Sequence, residues 1–560
     1  MADTVAGLLR VAAERDPDAV GYGFLADGET DLRTLTWGEL ERAAARVAAL
    51  VGRVVAPGGR VLLVFEAGLD FVTAFFGCQL AGVAAVPVYP PAPARPAPGL
   101  ANLHRVAADC GAELILAGPA TVGFGAVDAP APGPPWLSIA AATAEDPDDL
   151  TATDVRPHDL ALLQYTSGST GIPKGVVLRH AHLLANLESL DWFVCRPATG
   201  TVVSWLPMYH DMGLIGTLLY PLYRRMPAYL MSPLHFLHRP LRWLELITRV
   251  GATISGAPSF GYQVCVRRAA AATGLDLSSW EVAFNGAEPI SAAVMSEFER
   301  SFAPAGLRPG TLRGCYGMAE ATLLISGDRR GDRPATAADE RLDGGRVTSG
   351  GFPPGHDVHI VGPDGQPVPD GTPGEVWFRG PSLSDGYWGQ PEATAAAFGA
   401  TLAGHGGGFL RTGDQGVVID GRLFVTGRLT DLLVVRGRNV HPHDLERTVQ
   451  DVDKRLRASG GVAVALDGPD GERVTVIQEA ATLDPATLRR LALAVQSALL
   501  THHQVPADVV LVPPRSIRKT SSGKLRRSAT RDALLAGELE VLFRSNADET
   551  EAIDVPAPAR

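Results

Sequence analysis

Gln164-Tyr165-Thr166-Ser167-Gly168-Ser169-Thr170-Gly171-Ile172-Pro173-Lys174-Gly175 lies between two apolar runs, Leu160-Ala161-Leu162-Leu163 and Val176-Val177-Leu178. Hydroxyl residues and glycines cannot build a core, whereas both flanks have the length and branching of buried strands. The segment therefore reads as a loop joining two strands. Its small residues, Gly168 and Gly171 among them, expose backbone N–H groups. Thr166, Ser167, Ser169 and Thr170 add hydroxyl donors and Lys174 adds a positive charge, a set that suits phosphate oxygens. It is not a Walker A loop, in which Gly-Lys-Ser/Thr opens a helix; here Lys174 follows Pro173 and leads into a strand. A hydroxyl-rich hairpin turn is the plain alternative, and a nucleoside triphosphate is the guest the donors suit.

Toward the amino terminus, Thr36-Trp37-Gly38-Glu39 is a capping box, followed by Leu40, Ala44, Val47 and Val51 at helical spacing up to Gly52. Arg60-Val61-Leu62-Leu63-Val64-Phe65 is then a short apolar run bounded by glycines. Helix-like and strand-like segments go on alternating, which predicts an α/β fold with a parallel or mixed sheet. Residues 90–98 and 130–135 are Pro-rich and read as stiff surface connections. Gly362-Pro363-Asp364-Gly365 and Pro369-Asp370-Gly371 read as turns between short strands. Beyond Gly427, strands are expected at 432–435, 462–466, 474–477 and 509–512, with a helix over 484–500. The expected division is a large amino-terminal domain of several subdomains, 1–427, and a small α+β domain, 428–560.

Composition narrows the function classes. With 560 residues, 46% of them hydrophobic and 20% charged, the chain can bury a large core and is not intrinsically disordered. Its 50 basic and 61 acidic residues give a net charge of −11, which disfavours a globally basic nucleic-acid binder. Five scattered cysteines without a C-x-x-C pair suit a reducing cytosol rather than a zinc or disulfide framework. No secretory signal is visible after Met1, so a cytoplasmic protein is expected. The uncharged stretch 71–94 is broken by Gln79, Gly82 and prolines, which predicts a buried helix and strand rather than a membrane span.

Tyr-Thr-Ser-Gly-Ser-Thr-Gly-x-Pro-Lys-Gly resembles the nucleotide loop of the adenylate-forming superfamily, and further motifs follow in that superfamily's order. They are Trp205-Leu206-Pro207-Met208-Tyr209-His210-Asp211-Met212-Gly213-Leu214-Ile215, Asn285-Gly286-Ala287-Glu288-Pro289, Tyr316-Gly317-Met318-Ala319-Glu320, Arg411-Thr412-Gly413-Asp414, Gly427-Arg428-Leu429-Thr430-Asp431 and Lys519-Thr520-Ser521-Ser522-Gly523-Lys524. The His-Asp-Met-Gly-Leu wording, Ala257-Pro258-Ser259-Phe260 and Arg436-Gly437-Arg438-Asn439 look most like the fatty acyl-AMP ligase branch, beside the acyl-CoA synthetases. That branch carries an insertion after Tyr-Gly-x-Ala-Glu. The matching stretch here, 327–348, is shorter, so both an acyl carrier protein and coenzyme A stand as acceptors.

The resemblance implies attack of an apolar carboxylic acid on the α-phosphate of ATP, then transfer of the acyl group to a thiol. Lys524 is then the catalytic cation at the α-phosphate, supplied by a mobile carboxy-terminal domain, and His210 stands near the acyl carboxylate. Glu320 is the Mg2+ ligand, a hard carboxylate for a hard cation. Asp414 takes the ribose hydroxyls and Arg428 contacts ribose and phosphate. Gly286, Ala287 and Glu288 with Tyr316 and Gly317 form the adenine wall. Thr430 matches the hinge. Met208, Met212, Leu214, Ile215 and Phe260 line an acyl tunnel or simply pack the core. The histidine pairs His356 with His359 and His441 with His443 lack the partners of a tetrahedral metal site. Residues 509–531 hold no acid but include Arg515, Arg518, Lys519, Lys524, Arg526, Arg527 and Arg531. This basic cluster suits a pantetheine phosphate or an acidic carrier face, or else forms a solvated rim; without interleaved aromatics it does not suit nucleic acid. A non-catalytic nucleotide-binding protein is the rival class, and the presence of Lys524, Glu320 and Asp414 counts against it.

Overall fold

The computed structural model describes residues 2–93, 96–126, 133–150, 153–167, 173–195, 200–329, 347–435, 438–468, 471–481, 483–520 and 523–545. The chain divides into two compact units, one ending at Thr426 and the other starting at Gly427.

Three sheets build the first unit. A six-stranded sheet runs in the order Trp136–Ser138, Leu114–Ala117, Arg60–Val64, Ala84–Val88, Leu160–Ser167, Pro173–Arg179. Its strands are parallel except for the last pair, an antiparallel hairpin with Thr166 opposite Lys174 and Ser167 opposite Pro173. The loop motif thus joins two strands, as expected; its tip, residues 168–172 with Gly168, Ser169, Thr170 and Gly171, lies outside the described residues. An eight-stranded sheet has the order Leu324–Gly327, Leu312–Gly317, Val282–Asn285, Ile254–Ala257, Val202–Ser204, Ala228–Met231, Val20–Leu25, Leu32–Thr36. It is parallel through its middle and antiparallel at each edge. The third sheet is antiparallel and contains Asp357–Val361, Gly374–Arg379, Gly406–Ile419, Ala400–Leu402 and Arg422–Arg428.

Covered on both faces, the parallel strands read as unbroken apolar runs such as Val61-Leu62-Leu63-Val64, all fully buried. The capping box forms as written: Glu39 N–H donates to Thr36 Oγ1 at 3.2 Å and Thr36 N–H to Glu39 Oε2 at 2.9 Å. It starts the helix Trp37–Gly52, which packs on the helix Leu69–Ala81, buried from Phe71 onward. The uncharged stretch is therefore that helix plus the strand Ala84–Val88, and among the described residues no helix is long and apolar enough to cross a membrane.

The second unit is a four-stranded sheet, Leu456–Gly468, Gly471–Ala480, Ala507–Val512 and Phe543–Arg544, with helices Pro442–Val452, Pro485–His503 and Arg527–Leu535. Alternate residues face opposite ways: Ala463, Val474, Val476, Val509 and Leu511 enter one core, Val462, Val464, Ile477, Val510 and Val512 another. The long helix starts where the sequence placed it, with Asp484 accepting the Thr487 N–H at 3.0 Å.

Candidate active site

Several motif segments leave the carboxyl ends of adjacent parallel strands of the eight-stranded sheet. Trp205 to Met212 follow Val202–Ser204, Pro258 to Phe260 follow Ile254–Ala257, Gly286 to Glu288 follow Val282–Asn285, and Tyr316-Gly317 end Leu312–Gly317. This is the edge at which open α/β sheets hold ligands. The segments are tied to one another: Glu288 Oε1 accepts the Phe260 N–H at 2.8 Å, and Asn285 Nδ2 donates to Ser259 Oγ at 3.1 Å. Ala287 adopts a left-handed φ of 69°, unusual for a residue with a side chain. A Cβ on Gly286 would lie 2.8 Å from Cys315 Sγ, and one on Gly317 only 1.6 Å from the Leu323 carbonyl oxygen. Two strand ends can approach this closely only because those positions lack side chains.

The hairpin of the six-stranded sheet reaches the same region. Gln164 Nε2 donates to the Tyr209 carbonyl at 2.9 Å, which fixes the segment carrying His210. The Tyr209 ring meets those of Tyr89 and His210, and burial pushes its hydroxyl pKa above the ordinary value. Thr166 and Lys174 face each other across the hairpin, and Lys174 Nζ stands 4.7 Å from the centroid of Tyr387. Tyr387 Oη donates to Glu320 Oε1 at 2.9 Å. Lys174 and Glu320, two predicted site residues, are thereby linked through a third that the motifs did not contain.

The Glu320 loop is braced at its backbone. Thr322 takes φ 72° and ψ −60°, with the Leu323 N–H bonded to the Ala321 carbonyl at 3.0 Å. This is a γ-turn of the strained kind. Thr322 Oγ1 donates to the Ser382 carbonyl at 2.6 Å. Asn186, fully buried, donates through Nδ2 to the carbonyls of Ala321 (3.2 Å) and Leu324 (3.1 Å), and its Oδ1 accepts the Leu324 N–H at 3.0 Å. Its signal in the sequence is a lone amide on the apolar face of Leu183, Leu187 and Leu190.

Asp414 is buried; its Oδ2 accepts from Tyr316 Oη at 2.7 Å and its N–H donates to Thr412 Oγ1 at 3.1 Å. The adenine-wall and ribose candidates are therefore direct partners. The acyl candidates separate by exposure. Leu214 and Ile215 are fully buried in the main core, as members of the π-helix Met212–Leu219, and Met208 is buried too. Met212 and Phe260 remain partly exposed and only pack against that core. Glu320 offers a carboxylate, and among the described residues no group of three or more His, Cys, Asp or Glu side chains is placed to hold a metal. That donor set fits Mg2+ carried by nucleotide phosphates rather than a protein-built cage.

In the second unit, Arg428 and Thr430 are exposed, and Thr430 lies in the turn Leu429–Asp431. Lys524 is exposed on a tight hairpin: its N–H donates to Thr520 Oγ1 at 3.0 Å and its carbonyl accepts the Thr520 N–H at 2.8 Å. The basic cluster is less uniform than its sequence implies. Arg527 leaves it for a largely buried triad with Glu446 (2.7 and 2.8 Å) and Asp431 (2.7 Å), and Arg518 and Arg531 pair with Glu538 and Asp532. The stretch 327–348, where the sequence suggested a shorter insertion, falls mostly within 330–346, outside the described residues, as do Arg436 and Gly437.

Comparison with known proteins follows the same lines. The chain is 37% identical over 568 residues to the medium-chain-fatty-acid–[acyl-carrier-protein] ligase JamA of Moorena producens, covering 96% of each. It is 36% identical to the long-chain-fatty-acid–AMP ligase FadD26 of Mycobacterium tuberculosis, covering 94% of this chain and 96% of that one. A structure from a study of fatty acyl-adenylate ligases of E. coli and L. pneumophila superposes with a TM-score of 0.85 at 32% identity, over 96% of this chain and 98% of the other. The pattern of the AMP-binding enzyme family matches residues 9–388, from the first helix through Trp388, and the chain belongs to that adenylate-forming family.

Proposed function

We propose that the protein activates a fatty acid with ATP to an acyl-adenylate, releasing pyrophosphate, and then transfers the acyl group to the phosphopantetheine thiol of an acyl carrier protein in the cytoplasm. The observation that carries this reading is the match, over 96% of both chains, to a ligase named for a medium-chain fatty acid and an acyl carrier protein. The linked set Lys174, Tyr387 and Glu320 gives it a physical basis.

In the first half-reaction a carboxylate oxygen attacks the α-phosphorus while pyrophosphate leaves. Two anions must meet, so the site has to screen charge. Thr166, Ser167, Gly168, Ser169, Thr170, Gly171 and Lys174 hold the departing phosphates; Tyr316 with Gly286, Ala287, Glu288 and Gly317 receives the adenine; Asp414 and Arg428 take the ribose. Glu320 gives a carboxylate oxygen to Mg2+, which when bound neutralises charge on the phosphates. Lys524 brings its ammonium to the α-phosphate and His210 lies beside the acid. In the second half-reaction the thiol attacks the acyl carbonyl and AMP departs. Lysine and thiol need the same approach, so the unit carrying Lys524 turns about Thr430 between the steps. Met212 and Phe260, partly exposed, are the better acyl contacts; Leu214, Ile215 and Met208 support them from the core.

Incubating the purified protein with ATP, Mg2+ and a panel of fatty acids tests the first step through pyrophosphate release, and none would refute it. Adding a phosphopantetheinylated carrier protein or, separately, coenzyme A tests the second. Thioester formed on the carrier is expected; formation on coenzyme A alone would replace the acceptor.

A further inference from the structure

Tyr387 belongs to none of the motifs that pointed to the site, yet it touches two of the site's charged groups. Its hydroxyl donates to Glu320 Oε1 at 2.9 Å, and its ring lies 4.7 Å from Lys174 Nζ, within the range of cation–π attraction. The residue itself is held from several sides. It bridges Val176 on the hairpin, the Val177 N–H donates to the Gly386 carbonyl at 3.0 Å, and the Trp388 N–H donates to the Gly175 carbonyl at 2.7 Å. Its own N–H donates to Thr394 Oγ1 at 3.0 Å, and its ring meets Phe398 edge-on at 5.3 Å. A phenol fixed in this way sets the rotamer of the carboxylate it bonds, and so the direction of the carboxylate's other oxygen. Asn186 and Thr322 do the same for the loop's backbone.

We propose that Tyr387 is a positioning residue: through its hydroxyl it aims Glu320 at the magnesium–nucleotide complex, and through its ring it keeps Lys174 in step with that carboxylate. This rests on Glu320 being the magnesium ligand.

Calorimetric titration of ATP into the full-length protein, with excess Mg2+ or with EDTA, tests it on wild type, Tyr387→Phe, Tyr387→Leu and Glu320→Gln. Tyr387→Phe keeps the ring over Lys174 and against Phe398 and loses only the hydroxyl. Its metal-free ATP affinity should stay within about twofold of wild type, whereas the gain in affinity conferred by Mg2+ should fall about tenfold, the scale of a hydrogen bond to a charged group. In turnover, the apparent KM for Mg2+ should rise while kcat at saturating metal stays near wild type, a split that general loosening of the fold would not give. Tyr387→Leu, lacking the ring, should also weaken metal-free binding. If Tyr387→Phe keeps the full Mg2+ gain while Glu320→Gln loses it, the role of Tyr387 is refuted and that of Glu320 stands. If Glu320→Gln keeps the gain, the metal assignment fails and the proposal falls with it.

Discussion

His180 is buried at the first turn of the helix His180–Val194, and its Nδ1 accepts the N–H of Val5 at 3.2 Å. Burial lowers its pKa from 6.5 to about 4, partly opposed by the charges of Asp159 and Asp3. Protonating Nδ1 would set two donors face to face and release the helix Val5–Arg15. Because the folded-state pKa lies below the unfolded one, the contribution is complete above pH 6.5 and is lost as the pH falls toward 4. The loss amounts to about 3 kcal/mol. His180→Asn retains an acceptor without a titrating proton, and a series of thermal midpoints should show a shallower acid limb over that window. A second single-residue expectation concerns Lys524. Its side chain is exposed, so Lys524→Ala should leave folding intact. Pyrophosphate release should fall on the order of 100-fold to 1000-fold, the usual cost of losing one preorganised charge at a reacting centre.

Among elements, the carboxy-terminal helix Arg527–Leu535 is anchored by its first residue. Burial alone would lower the pKa of Arg527, but Glu446 and Asp431 more than reverse this and keep it protonated. Glu446 in turn accepts the Ala463 N–H at 3.0 Å, so one guanidinium joins the turn Leu429–Asp431, the helix Pro442–Val452 and the edge of the sheet. Arg527→Ala strands a buried carboxylate, and the unfolding free energy of this unit, read from its denaturation curve, should fall by about 3 to 5 kcal/mol. An unchanged midpoint would mean that the triad contributes nothing net. Elements set by local chemistry were legible from the sequence: the capping box at Thr36 and Glu39, the helix beginning near Asp484, and the strands on either side of the hydroxyl-rich loop. What escaped depends on distance along the chain. Tyr387 meets Glu320 across 67 residues and Asn186 meets Ala321 across 135, and no periodicity records such partners. Arg527 looked like one more surface cation because its neutralising carboxylates lie 81 and 96 residues away. Similarly, the segment 212–219 shows only apolar content, which does not distinguish a π-helical turn from an α-helical one.

For the whole molecule, the division at Thr426 and Gly427 leaves each unit an apolar interior of its own. Heating should then give two calorimetric transitions, and ATP with Mg2+ should raise the one belonging to the larger unit, where most candidate nucleotide contacts reside. A single transition with equal calorimetric and van't Hoff enthalpies would contradict this. Self-sufficient interiors also bear on ancestry. A crossover between related genes at that seam would part Met212 and Phe260 from Lys524 without breaking either interior, so a lineage could inherit a new preference for acids while keeping its lysine-bearing half unaltered.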